Sequence, residues 1–153
     1  MEEIAQNILE TYWGRTVPID INEILRRMKI TIIQTPHMTD SGKFFFNKDG
    51  NPIIMVNTSN DLLRQRFSMA HELGHYVLSH GAYLSDPVGN FIAGIKDIKE
   101  NEANMFALSI LIPKSAIMFF RKNQENITVN MLAEYFRVSV MALRYRLKIL
   151  QIV

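Results

Sequence analysis

The chain has 153 residues, 48% hydrophobic and 21% charged, with a formal net charge of +2; this is ordinary composition for one globular domain with a real core. It contains no cysteine, which excludes disulfides, thiolate metal sites and thiol catalysis, so any bound metal must rest on histidine and carboxylate. The small charge does not call for a nucleic-acid partner. No run approaches the roughly 20 apolar residues of a membrane span, and the start Met1-Glu2-Glu3 lacks a basic region, so the expectation is a cytoplasmic protein without membrane association.

In chain order, Ile4, Ile8, Leu9 and Tyr12 recur at helical spacing from Glu2 to Trp13, and Gly14 ends that helix. Pro18-Ile19-Asp20 opens a second short helix to about Met28, with Asp20 as its N-cap. Lys29 to Gln34 is rich in β-branched residues and reads as a strand. Lys43 to Asn47 and Pro52 to Asn57 flank Lys48-Asp49-Gly50-Asn51, a hairpin signal. A helix is expected from about Asn60 to Ser79, starting near Ser59 or Asn60, with Gly81 just past its end. Gly81 to Gly94 lacks periodicity and reads as a loop.

Lys99 to Leu111 is helical again, with Ala103, Phe106, Ala107 and Ile110 on one side, and Pro113 breaks it. Further helices are expected near Lys114 to Arg121 and from Thr128 onward. The fold expected is α+β in a single domain. Residues 1–58 supply helices and a small three-stranded antiparallel sheet, 59–112 a metal-binding core, and 113–153 a helical part ending in a helix-turn-helix-like pair.

The most informative residues are His71-Glu72-Leu73-Gly74-His75, an H-E-x-x-H pattern inside the expected long helix. Four residues is slightly more than one helical turn, so His71 and His75 share a face and can reach one metal ion. Glu72 lands beside that ion, where it can take a proton from a water. Together they make a water nucleophile and the base that activates it. The sequence reading takes Gly74, unfavourable within a helix, as room for a metal and its substrate. The bland alternative is a buried helix whose histidines hydrogen-bond to backbone.

A catalytic zinc site commonly has three protein ligands and an open position. A third histidine in the spacing H-E-x-x-H-x-x-G-x-x-H is absent: Leu78 and Gly81 occupy those places, and His80 falls one residue early. A carboxylate from the later helix remains, and both Glu100 and Glu102 qualify. Glu102 shares the face of Ala103 and Phe106 more closely, so it is expected to point inward as the third ligand. Asn104 is a candidate to hydrogen-bond a ligand's other ring nitrogen. Tyr76, His80 and Tyr83 are the nearest candidates for stabilising an oxyanion.

The run Arg64 to His75, the later Glu102-Ala103-Asn104-x-Phe106-Ala107, and Leu111-Ile112-Pro113 resemble the ImmA/IrrE family of metallopeptidases. The resemblance extends through Leu132-Ala133-x-x-Phe136-x-Val138-Ser139, roughly residues 55 to 150. It implies one Zn2+ per chain on His71, His75 and Glu102, with Glu72 as catalytic acid and base. It also implies an intracellular endopeptidase that acts on a helix-turn-helix repressor and so relieves repression. The sensor domain that some family members carry would not fit in a chain of this length.

A competing reading rests on the C-terminal stretch. Leu132, Ala133, Phe136, Val138, Leu143 and Leu147 fit helix-turn-helix spacing, and six Lys or Arg stand against two Glu from Arg121 onward. On that reading Arg144, Arg146 or Lys148 would meet DNA phosphates, or the region would bind protein, with a structural metal site upstream. Against DNA binding, the turn holds Arg137 where glycine is common, and Met141, Leu143, Leu147 and Leu150 are expected to be spent on apolar contacts. Retention of Glu72 argues against a structural metal, which would want a fourth protein ligand and has no use for a base.

Overall fold

A computed structural model of the chain describes residues 1–80 and 89–152, with side chains outside 89–96. The elements run α1 (Glu2–Tyr12), α2 (Ile21–Arg27), β1 (Thr31–Thr35), β2 (Gly42–Phe46), β3 (Pro52–Asn57), α3 (Leu62–Val77), α4 (Gly89–Leu111), α5 (Lys114–Asn123), α6 (Val129–Phe136) and α7 (Val140–Ile149). This is the expected α+β arrangement. Four helix starts are set by side chains that accept an otherwise orphaned N–H: Asp20 from Glu23, Asp61 from Arg64, Thr128 from Met131, and Ser139 from Ala142.

The sheet differs from expectation. Its order is β1-β3-β2, with β2 antiparallel to β3 but β1 parallel to it. Burial explains the order: Ile53, Ile54 and Val56 of β3 are all buried, so β3 takes the centre, whereas β1 is largely exposed and suits an edge. The hairpin carries β2 to one side of β3, which leaves the other side for β1. The link between β1 and β2 is held by Asn57, whose side-chain amide donates to the carbonyls of Met38 and Asp40 at 3.2 and 3.0 Å.

Helix α3 packs against β2 and β3 of the sheet and against α4, and α1 lies on α4. Ala103, Phe106, Ala107, Ile110, Leu111 and Ile112 are fully buried. By length and composition Asp97–Asn123 is long and apolar enough to cross a membrane, contrary to the sequence expectation; here Phe106, Ile110 and Ile117 lie in the core, whereas Ile98, Met118 and Phe119 are exposed. Helix α4 also begins earlier than expected, at Gly89, so it takes in part of the stretch read as a loop. The rest of that stretch, with Tyr83, lies outside the described residues.

Gly74 has a different purpose from the one inferred. A Cβ there would stand 3.1 Å from the Cα of Ala103 and 3.1 Å from Cδ1 of Phe106. The close neighbour is the backbone of α4, not a metal. The missing side chain lets the two helices approach until their polar residues meet.

The C-terminal pair is anchored at two points. Arg66 of α3 donates to the carbonyls of Ile19, Phe136 and Arg137, clasping the end of α6 where Arg137 adopts the left-handed conformation at φ 50°. Arg146, proposed from sequence as a phosphate contact, is wholly buried. It donates to the carbonyl of Ile112 and forms a bidentate pair with Glu2, both N–O distances being 2.7 Å. Met141, expected to pack, is 81% exposed.

Candidate metal centre and active site

Helix α3 presents His71 and His75 from one face, as the four-residue spacing requires, with ring centroids 4.7 Å apart. Their Nε2 atoms lie 3.0 Å apart. The carboxylate that joins them is Glu100, with Oε2 3.1 Å from His71 Nε2 and Oε1 3.1 Å from His75 Nε2. Among the described residues these three form the group able to hold a metal ion.

Glu102, expected as third ligand, is elsewhere: its Oε2 accepts from His80 Nε2 at 2.7 Å. The physical reason is helical phase. Asn104 stands 2.8 Å from His71 Nδ1, so the residue one turn earlier, Glu100, shares its face. Glu102 lies two positions from each, on the other side of the helix. Pairing the two expectations would have exposed the conflict, since a ligand and the orienter of its partner must face the same way.

The hydrogen-bond directions test whether a cation fits. Asn104 Oδ1 can only accept, so His71 carries its proton on Nδ1 and leaves Nε2 bare. His80 lies between His75 and Glu102, its Nδ1 3.0 Å from His75 Nδ1 and its Nε2 2.7 Å from Glu102 Oε2; with a single ring proton held on Nε2 toward the carboxylate, its Nδ1 accepts from His75 Nδ1. In that arrangement His75 Nε2 is bare too. Two lone pairs and a carboxylate converge with no donor between them, a repulsive arrangement that a divalent ion resolves. Donor separations of 3.0 to 3.1 Å suit the bond lengths of about 2.0–2.2 Å that zinc makes to such ligands. The residues fit the ion.

Electrostatics agree. Burial, and then the neighbouring His71, lower the pKa of His75 to about 4, so its ring is neutral and able to donate a lone pair at physiological pH. Glu72 is 8% exposed. Burial raises its pKa to about 8, assisted by the charges of Glu100 and Asp40. A carboxyl group held this way is poised to exchange a proton near neutrality.

Gly42, at the start of β2, lies against Glu72: a Cβ there would be 3.1 Å from its Cγ. The edge strand therefore runs directly beside the acid/base. Neither Gly42 nor Asp40 stood out in the sequence, because the contact depends on where the linker between β1 and β2 returns. Of the oxyanion candidates, Tyr76 packs its ring 5.4 Å from Phe44 and 6.2 Å from Phe46. Both ring nitrogens of His80 are already engaged.

Comparison with known proteins bears on this arrangement. A peptidase family described as the IrrE N-terminal-like domain matches residues 25–148. Metallopeptidase ImmA of Bacillus subtilis (strain 168) is 28% identical over 143 residues, covering 94% of this chain and 81% of that protein. A solved structure called a Mycobacterium tuberculosis transcriptional regulator superposes with a TM-score of 0.68 at 19% identity, covering 96% of this chain but only 46% of that one. This last likeness is one of fold.

Proposed function

This chain belongs to the IrrE N-terminal-like peptidase family, and on that premise we propose that it is a zinc-dependent endopeptidase. The observation that supports this most is the convergence of His71 Nε2, His75 Nε2 and Glu100 within 3.1 Å, beside the buried carboxyl of Glu72. His71, His75 and Glu100 hold the ion, in place of the sequence expectation with Glu102. Bound zinc would supply Lewis acidity and make a water acidic enough to act as nucleophile near neutral pH.

Glu72 accepts the proton of the attacking water and passes it to the leaving amine as the peptide bond breaks. Its buried position keeps that proton within the site. Asn104 fixes the ring of His71. Substrate lies extended along the open edge of β2, whose backbone groups are free to pair with an added strand. Gly42 leaves room there for the peptide to pass close to Glu72.

The substrate is a cytoplasmic protein, and family resemblance favours a helix-turn-helix repressor whose cleavage relieves repression. The test is incubation of zinc-loaded protein with candidate repressors, beside Glu72→Gln. Cleavage by the parent and none by the variant, with zinc retained in both, supports the reading. Cleavage that survives Glu72→Gln refutes it.

One observation favours a second reading, direct binding of DNA. Met141, Arg144, Tyr145 and Lys148 occupy the outward face of α7, at the spacing a recognition helix uses. Binding to duplex DNA that weakens with salt and with Arg144→Ala would support it. Salt-insensitive or absent binding would remove it.

A further inference from the structure

The segment just beyond α3 folds back onto the helix. Ser79 takes a left-handed conformation, φ 55°, and the backbone N–H of His80 then donates to the carbonyl of His75 at 3.0 Å. This turn brings the ring of His80, with its side chain only 5% exposed, between His75 and α4. Its Nδ1 lies 3.0 Å from His75 Nδ1, and its Nε2 lies 2.7 Å from Glu102 Oε2.

The geometry points to His80 and Glu102 as a positioning pair that holds His75 in its metal-binding tautomer, an inference that rests on the metal centre proposed above. Were the line of donors reversed, with His80 giving its Nδ1 proton to His75, the proton of His75 would sit on Nε2. It would then point at His71 and Glu100 and block coordination. Glu102 favours the first arrangement because its carboxylate oxygen accepts from His80 Nε2 at 2.7 Å, which in a singly protonated ring leaves Nδ1 as the acceptor toward His75. Asn104 serves His71 in one step, whereas His75 is served in two.

A single turn of α4 therefore contributes a ligand through Glu100, an orienter for His71 through Asn104, and an anchor for His80 through Glu102. Groups of this kind change metal affinity without touching the metal. The separation of Glu100 from Glu102 into two roles also accounts for two carboxylates so close together on one helix.

The test joins zinc affinity, measured by competition with a chromophoric chelator, to long-range proton–nitrogen spectra of the imidazoles in the metal-free protein. Proteins compared are wild type, His80→Phe, His80→Gln, Glu102→Ala and Glu100→Ala. In wild type, His75 should show its proton on Nδ1. His80→Phe and Glu102→Ala should move it toward Nε2 and weaken zinc binding about 10–100-fold, with the His71 signals unchanged. Glutamine can both accept and donate, so His80→Gln should restore much of the affinity. Glu100→Ala should weaken binding further while leaving the His75 tautomer alone.

A wild-type His75 protonated on Nε2, or unchanged affinity in His80→Phe and Glu102→Ala, overturns the inference. So does abolition of binding by Glu102→Ala alone, which would make Glu102 the ligand. Wild-type protein that binds no zinc would sink the metal centre itself, and the tautomer spectra would still decide the positioning role. A merely structural role for His80 would shift thermal stability and leave the tautomer in place.

Discussion

Replacing Gly74 with alanine tests how the site is assembled. The added Cβ would meet the Cα of Ala103 at 3.1 Å, Cδ1 of Phe106 at 3.1 Å and the carbonyl oxygen of Ala103 at 3.2 Å, whereas comfortable carbon contacts lie near 3.5–4.0 Å. Phe106 can turn slightly, but Ala103 offers backbone, so α4 must withdraw by a few tenths of an ångström. Overpacking of this kind costs roughly 1–3 kcal/mol. Alanine's better helix propensity returns about 1 kcal/mol. The net expectation is a loss of zero to about 2 kcal/mol, and a fall in Tm of a few degrees for a domain of this size.

Metal binding should suffer more than stability. Glu100 sits on the same helix, less than one turn before Ala103, and its oxygens reach the two histidines at 3.1 Å. Withdrawal of α4 therefore loosens the carboxylate and Asn104 together, with a loss of zinc affinity of about 10–100-fold. Thermal unfolding of the metal-free protein and a zinc competition titration read the two effects separately. A variant that is more stable than the parent and binds zinc equally well would refute the close helix contact.

Glu72→Gln should keep zinc but flatten a pH dependence. With a folded pKa near 8 against an ordinary 4.5, metal-free protein holds a proton that the unfolded chain has lost, so stability falls as pH rises between those values. His75, lowered to about 4 from 6.5, acts in the opposite sense below pH 6.5. The clean window is thus pH 6.5 to 8, where chemical denaturation should show a decline of at most roughly 2 kcal/mol; equal slopes in parent and variant would contradict it. Asn104→Ala should lower zinc affinity about 10-fold or more in a competition titration, and an unchanged value would detach Asn104 from the site. Glu2→Ala should cost about 3 kcal/mol by urea unfolding, the lower end for leaving a buried charge unpaired because Glu2 is itself half exposed. No loss would mean that Arg146 finds another partner.

What could be read from sequence was local. Asp20 as a cap, the hairpin around Asp49-Gly50 and the shared face of His71 and His75 follow from chemistry within a few residues. The direction of β1 could not be read this way, because its partner β3 lies beyond an intervening strand. Gly74 was singled out correctly as a place of close approach, but the approaching group, Ala103, is distant in sequence. Sequence alone ranks Glu102 above Glu100, because the apolar neighbours Ala103 and Phe106 suggest that Glu102 faces inward. Asn104 was the better guide, since polar site residues share a phase of their own. Met141 shows the converse error: an apolar residue in a helix need not be inside.

The Glu2–Arg146 pair joins residues 144 apart, and α1, which carries Glu2, packs on α4. During synthesis α1 emerges long before α7, so Glu2 meets Ser109 of α4, which donates to it at 2.9 Å, before the guanidinium of Arg146 exists to join them. Until α7 emerges, the carbonyl of Ile112, just past α4, lacks the buried guanidinium that donates to it. The H-E-x-x-H helix precedes α4 in the chain, so His71 and His75 emerge before Glu100 can stand opposite them.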